Sequence, residues 1–328
     1  MGLGQLTSTL QFFLYGKRHF TATGWSRASA KYDHSSLEVL DLTSKCYVVT
    51  GANSGCGFKI SEFLAERGAK VYMVCRNQER AQEAQQRIVE KSGNSKVFTL
   101  IADVGLASSV RELQRSLAEK ESSIDALVCN AGALLDKRTL TKEGVEVTFA
   151  SHLLNGAYLL AKGCIPLLQA SGAPRVIFVS SGGMYNTAFP GWDVASASDP
   201  SQKFDGQLAY AYAKRGQVLL AERMALAYPD VPIVSCHPGW VDTPGVDAAY
   251  GSGKSILRPM RSLWEGVEGI VWLCTAGSQQ LESGAFYLDR SPQPKHLGWG
   301  WLSSFTKNSP AEVDDMMTRL EAATTTIE

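Results

Sequence analysis

From Ser44 onward, short apolar runs recur along the chain, and between them hydrophobic positions return every three or four residues over stretches of about a dozen or more. The runs are Cys46–Val49, Val71–Val74, Val97–Ile101, Ala126–Cys129, Val176–Val179 and Ile233–Cys236, with a weaker one at Ala285–Leu288. Runs this short and apolar suit strands buried on both faces, and the amphipathic text between them suits helices that cover a sheet. The pattern therefore predicts a doubly wound α/β fold of the Rossmann type with about seven mostly parallel strands. Ile60, Phe63 and Leu64 mark one helix that stops at Gly68, and Val110, Leu113 and Leu117 mark another with Ser108 as its expected N-cap. Ser309-Pro310-Ala311-Glu312 combines a cap, a proline at the first helical position and a capping-box glutamate, which starts a last helix.

The text before Ser44 is different. Its first 32 residues hold no acid, seven Ser/Thr and the bases Lys17, Arg18, Arg27 and Lys31, while Leu3, Leu6, Leu10 and Phe13 follow a helical period. This arm either packs on its own domain, contacts a membrane surface or partner protein, or serves as a mitochondrial presequence. Deleting it is expected to leave a folded core and to change what the protein associates with. The division expected is an arm at 1–43, one dinucleotide-binding and catalytic domain at 44–308, and a C-terminal helix and tail at 309–328.

Composition narrows the function classes. With 328 residues, 45% hydrophobic, and 32 Lys+Arg against 32 Asp+Glu, the chain is globular and carries no overall field that would attract nucleic acid. Lys162 interrupts the greasiest stretch, Leu153 to Leu168, so no spanning helix is expected. The seven cysteines form no C-x-x-C pair, and the five histidines show no ligand spacing; reduced thiols in an intracellular, cytoplasmic or membrane-surface setting, without a metal, are expected.

The chemistry begins after the first strand, where Thr50-Gly51-Ala52-Asn53-Ser54-Gly55-Cys56-Gly57 leads into a helix. Glycines let the backbone approach a pyrophosphate, and free N–H groups at the helix start favour its charge. At the end of the second strand, where an NAD-selective site places an acid, the chain has Cys75 and Arg76; a guanidinium there can pair with a 2′-phosphate, which favours NADP(H). Asp103, just past the third strand and followed by Val104, is placed either for an adenine edge or as a cap. Tyr210 and Lys214 lie four apart on a helical stretch and face the same way. Bringing a phenol from about 10 to near neutrality takes roughly 3 to 4 kcal/mol of preference for the phenolate, which a neighbouring ammonium and a positive nicotinamide can supply. Ser181, at the end of the fifth strand, can hold a substrate oxygen beside that phenol.

Together with Asn130-Ala131-Gly132 after the fourth strand and His237-Pro238-Gly239-Trp240-Val241-Asp242-Thr243 after the sixth, these motifs resemble the short-chain dehydrogenase/reductase family over roughly residues 44 to 290. The resemblance implies that Tyr210 is the general acid/base, that Lys214 lowers its pKa and holds the nicotinamide ribose, and that Ser181 positions the carbonyl. It also implies that Asn53, Ser54, Cys56, Asn130, Ala131, Gly132, Pro238, Gly239, Val241 and Thr243 line the cofactor. Cys56 replaces the usual aliphatic residue of the turn. The family's fourth catalytic position is an asparagine that acts largely through its main-chain carbonyl, holding a water near the lysine. Counting from Phe149 puts His152 there, counting back from Gly156 and Tyr158 puts Leu153, and Asn155 fits neither register. The expected function is an NADP(H)-dependent oxidoreductase interconverting a carbonyl and an alcohol on a small lipophilic substrate, with Trp240, Trp264, Trp272, Trp299 and Trp301 as candidate pocket walls. The alternative is a non-turnover dinucleotide-binding subunit of a larger assembly.

Overall fold

The computed structural model describes residues 3–243, 246, 251–298 and 300–325, with the backbone alone at 3–5, 251, 252 and 300–302. Pro244, Gly245 and Trp299, and the side chain of Trp301, lie outside what is described. Eight strands form one sheet in the order β3-β2-β1-β4-β5-β6-β7-β8. They are β1 Cys46–Thr50, β2 Lys70–Cys75, β3 Val97–Ile101, β4 Ala126–Cys129, β5 Arg175–Val179, β6 Ile233–Cys236, β7 Phe286–Leu288 and β8 Ser291–Pro292. The first seven run parallel, and β8 turns back antiparallel to β7 after Asp289 and Arg290, both at positive φ. That last two-residue strand is one more than the apolar runs predict; Ser291 and Pro292 are exposed and carry no apolar signal.

Successive strand residues divide between two cores. Cys46 and Val48, Tyr72 and Val74, Leu127 and Cys129, and Val176 and Phe178 face one side. Tyr47 and Val49, Val71 and Met73, Ala126 and Val128, and Ile177 and Val179 face the other. This period of two, apolar on both phases, is what a sheet covered by helices on both faces requires. The strand order reverses between β1 and β4, so the loops after these two strands diverge and leave a crevice at their carboxyl ends.

Helix starts follow the predicted chemistry with one exception. The last helix, Pro310–Thr325, has the Ser309 and Glu312 exchange of a capping box. The helix Ala107–Lys120 starts one residue before Ser108 and takes its cap from far away in sequence: the Glu143 carboxylate accepts the N–H groups of Ala107 at 2.6 Å and Ser108 at 3.0 Å. Ser108 is thus a capped residue, not the cap.

The arm packs on its own domain, one of the expected alternatives, but through an unexpected face. Its helix Leu3–His19 buries Ser8, Phe12 and Gly16, and Phe20 follows at 0% exposure, whereas Leu6, Leu10 and Leu14 stand 60%, 60% and 66% exposed. Two residues separate these sets, roughly 200° around a helix, so the leucine stripe lies opposite the buried face. The aromatic set wins because Phe12 and Phe20 complete a third core with Met184, Tyr185, Trp240, Phe286 and Leu288, against which Phe13 is partly buried. Arg261, 1% exposed, locks this arrangement by donating to the carbonyls of His19 at 2.7 Å and Phe20 at 3.0 Å while pairing with Asp289 at 2.6 Å. Phe12, Gly16, Phe20 and Thr21 are buried in this segment, while Leu14, Lys17 and Arg18 stay exposed. No helix among the described residues is long and apolar enough to cross a membrane.

Candidate active site

The crevice at the switch point has its floor in the turn after β1. Gly51 and Gly57 are glycines for a steric reason: a Cβ on Gly51 would lie 2.9 Å from Ala131 Cα, and one on Gly57 only 2.4 Å from the Gly51 carbonyl oxygen. The turn is tied to the loop after β4 through Thr50, whose hydroxyl accepts the N–H groups of Asn130 and Ala131, both at 2.9 Å, while Asn130 Nδ2 donates to the Thr50 carbonyl at 2.8 Å. The helix Gly55–Glu66 that follows has neither a side-chain cap from Ser54 nor an acid in its first turn, although Asn77 caps the next helix, Gln78–Ser92. Its first-turn N–H groups and positive dipole end are therefore offered to an external anion. Thr243 faces this turn: a Cβ on Gly55 would meet only its methyl, at 3.9 Å. These residues fit a dinucleotide pyrophosphate.

Beyond the turn, Cys75 is buried, with the main-chain N–H groups of Ala52 and Asn53 on its sulfur, and burial pushes its thiol up to about 11. Arg76 is exposed at the β2 end, and Asp103 follows the adjacent strand end, where the Ala102 N–H donates to the Cys75 carbonyl. One Asp103 oxygen accepts the Gly105 N–H at 2.9 Å, a local turn rather than the cap of the next helix, which Glu143 supplies. Val104 is buried. Gly239, at positive φ, and Val241 carry the loop after β6 across Arg261 toward Thr243, and the Pro238 carbonyl accepts from Arg261 at 3.3 Å.

Ser181, Tyr210 and Lys214 converge. Ser181 lies two residues past β5 and accepts the Gly183 N–H at 3.2 Å; a Cβ on Gly183 would lie 3.6 Å from its Oγ and 3.8 Å from Tyr210 Cε1, so hydroxyl and phenol border one small space. Tyr210 and Lys214 share the helix Gly206–Ala227, with the ammonium 5.5 Å from the ring centroid. Lys214 is buried and donates to the Val179 carbonyl at 2.7 Å and to Gln217 Oε1 at 3.2 Å. Burial drives its pKa down to about 7. Tyr212 is the packing tyrosine of the pair, half-buried against the first core.

The helix after β4 has an α-turn Val147–Phe149, a π-helical stretch Ala150–Leu159 and an α-helical end Leu160–Gln169. His152 packs edge-on against Tyr210 with ring centroids 5.2 Å apart, and its Nε2 bonds the Ala133 carbonyl at 2.9 Å. Burial holds its pKa well below the usual histidine value, with the Lys214 charge as the next cause, so the ring is a neutral hydrogen-bonded histidine. Gly132 makes room for it: a Cβ there would fall 1.7 Å from His152 Cε1. The His152 carbonyl accepts from Gln217 Nε2 at 2.7 Å, whereas Leu153 points into the first core and Asn155 Nδ2 donates to the Gly105 carbonyl at 2.9 Å. Of the three registers, that of His152 has its main-chain carbonyl linked to the lysine through Gln217.

A family model described as short chain dehydrogenase matches residues 45–251. The chain belongs to the short-chain dehydrogenases. It is similar along nearly its whole length to the Dehydrogenase/reductase SDR family member 12 of Bos taurus, 38% identical over 94% of this chain and 95% of that protein. The protein of the same name from Homo sapiens is 36% identical, over 96% and 97% of the two chains. Among solved structures, a short chain dehydrogenase of Escherichia coli CFT073 complexed with NADPH shares the fold with a TM-score of 0.61 at 20% identity, covering 76% of this chain and 98% of that one. The family match ends before the arm's partner Arg261 and begins after Phe20, so the arm and its clamp lie outside the shared core.

Sequence reasoning missed the arm aromatics, Arg261 and Gln217. Gln217 was findable, three residues from Lys214 on one helix face; Arg261 had no local signal. The tryptophans are mostly structural: Trp264 stacks on Phe63 at 5.4 Å, Trp272 packs near Tyr287, and Trp240 packs on Phe12 of the arm.

Proposed function

We propose that this short-chain dehydrogenase is an NADP(H)-dependent oxidoreductase that interconverts a carbonyl and an alcohol on a small lipophilic substrate. The observation that carries the reading is the convergence of Ser181 and Tyr210 on one space with Lys214 buried behind the phenol. Ser181 Oγ orients the substrate oxygen, and Tyr210 Oη gives it a proton in reduction or takes one in oxidation. Lys214 stabilises the phenolate left behind. The uncapped helix start, the Asn130-Ala131-Gly132 loop and Thr243 would hold the dinucleotide, and its nicotinamide would supply or accept the hydride. Arg76, with no acid beside it, supports recognition of a 2′-phosphate, the group that separates NADPH from NADH. The subunit alternative has less support, because a dinucleotide-binding module has no use for a sealed lysine beneath a phenol.

The exposed face Leu6, Leu10 and Leu14 runs on into exposed Lys17 and Arg18, and it supports contact with an anionic membrane surface, where a lipophilic substrate would reside.

The reading is tested with NADPH and a panel of lipophilic ketones and aldehydes that includes phenanthrenequinone. Wild type should turn over at least one of them. Tyr210→Phe should lose that turnover while binding NADPH with unchanged affinity, since ring and packing are kept. Equal rates for Tyr210→Phe and wild type would refute the mechanism.

A further inference from the structure

Lys214 has two protein partners, and one of them is itself tied to the fourth catalytic position. Gln217, 1% exposed, accepts from the lysine ammonium through Oε1 at 3.2 Å and donates through Nε2 to the His152 carbonyl at 2.7 Å. The direction of this carboxamide is fixed by chemistry, because an ammonium only donates and a main-chain carbonyl only accepts. Where the family resemblance implies a water between the lysine and the main-chain carbonyl of the fourth position, this chain has a side chain that reaches both.

We propose that Gln217 is a positioning residue of the active site, a fixed dipole standing in for that water, which holds the Lys214 ammonium toward Tyr210 and couples it to the backbone at His152. A water in this place can take a proton from the ammonium and pass one of its own to further water, while the carbonyl only accepts its hydrogen bond. A carboxamide keeps its own, so it orients and stabilises the ammonium without carrying a proton away from it. Proton supply to Tyr210 then comes from the cleft side, and Lys214 acts by its charge and by its hydrogen bonds. The proposal rests on the reductase reading of the site.

Few groups here titrate near neutrality, which makes the proposal readable by pH. Facing Lys214 are Tyr210 on its own helix, Cys129 at the end of β4, Cys236 at the end of β6, His152 on the helix after β4 and His237 after β6. Burial raises both thiols well above their usual range and lowers both histidines well below theirs, so all four stay neutral through pH 6 to 9. An acceptor on the ammonium favours its charged form. Removing that acceptor should lower the lysine pKa, and adding a carboxylate should raise it.

The experiment compares Gln217→Met and Gln217→Glu with wild type by NADPH fluorescence titration across pH 6 to 9, alongside kcat on phenanthrenequinone. Tighter binding to charged Lys214 should fade with rising pH. The midpoint should move down by about one pH unit in Gln217→Met, a tenfold change in the proton affinity of Lys214, and up in Gln217→Glu. A merely structural role would weaken binding by one factor at every pH and would not split the two variants. Midpoints equal to wild type, or displaced the same way in both, would overturn the proposal. If Gln217→Met does not fold, the near-isosteric Gln217→Glu decides alone by the sign of its shift. Absence of wild-type turnover would instead count against the reductase reading, while the titration would still decide Gln217.

Discussion

Replacing Phe20 by alanine tests whether the arm belongs to the fold. Phe20 is 0% exposed and meets His237 edge-on at 4.3 Å, Tyr15 at 5.5 Å, Trp240 at 5.6 Å and Phe12 at 6.0 Å between ring centroids. Its main chain accepts from Trp240 N at 2.8 Å and from Arg261 Nε at 3.0 Å, and these bonds survive truncation of the side chain, so the loss is one of packing. Phe→Ala at a buried site costs about 3 to 5 kcal/mol. An unfolding entropy of about 2.1 cal/mol/K per residue gives roughly 0.7 kcal/mol/K for 328 residues, so the melting temperature should fall by about 4 to 7 °C. Leu10→Ala on the same arm, at a 60% exposed site, should change stability by less than about 0.5 kcal/mol and Tm by under about 1 °C. Differential scanning calorimetry of the two variants beside wild type makes the comparison. Equal melting temperatures for Phe20→Ala and Leu10→Ala would show that the arm is an appendage and that the third core is not a core.

Arg76→Ala should weaken NADPH about tenfold to a hundredfold, the worth of one charge-assisted pair of about 1.5 to 3 kcal/mol, and leave NADH unchanged; equal effects on both dinucleotides would remove Arg76 from the 2′-phosphate site. Flotation with vesicles rich in phosphatidylserine should carry up wild type at low salt, less of it at high salt, and none of the triple variant Leu6→Ser, Leu10→Ser, Leu14→Ser; a variant that floats as well as wild type would free the leucine face of any lipid role.

The sheet was legible because its strands are short and apolar on both faces, and the glycine turn because strand, turn and helix follow one another without interruption. The Tyr210 and Lys214 pair was legible for a similar reason: four residues on a helix is a local relation. What stayed hidden is non-local or lacks phase. All residues of the stretch Ala150–Leu159 are buried, so no periodicity betrays its π-helical winding or selects a register for the fourth catalytic position. The Glu143 cap and the Arg261 clamp act across 35 and more than 240 positions respectively. On the arm, the spacing of Leu3, Leu6, Leu10 and Phe13 marked the helix but not the face that packs on the domain, which carries Phe12 and Gly16, because hydrophobicity alone does not say which stripe has aromatic partners waiting.

Arg261 also sets an order on the birth of the molecule. Its guanidinium gathers the carbonyls of His19 and Phe20 from the first part of the chain and the carboxylate of Asp289 from the last. On the ribosome the arm is made before its seat, because the seat for Phe12 and Phe20 needs Tyr185, Trp240, Phe286 and Leu288, more than 160 positions further on. Throughout that interval an acid-free segment with two apolar stripes is displayed to whatever surrounds the ribosome. Until then the aromatic face is open to solvent, whereas after folding it is buried and the leucine face remains outside.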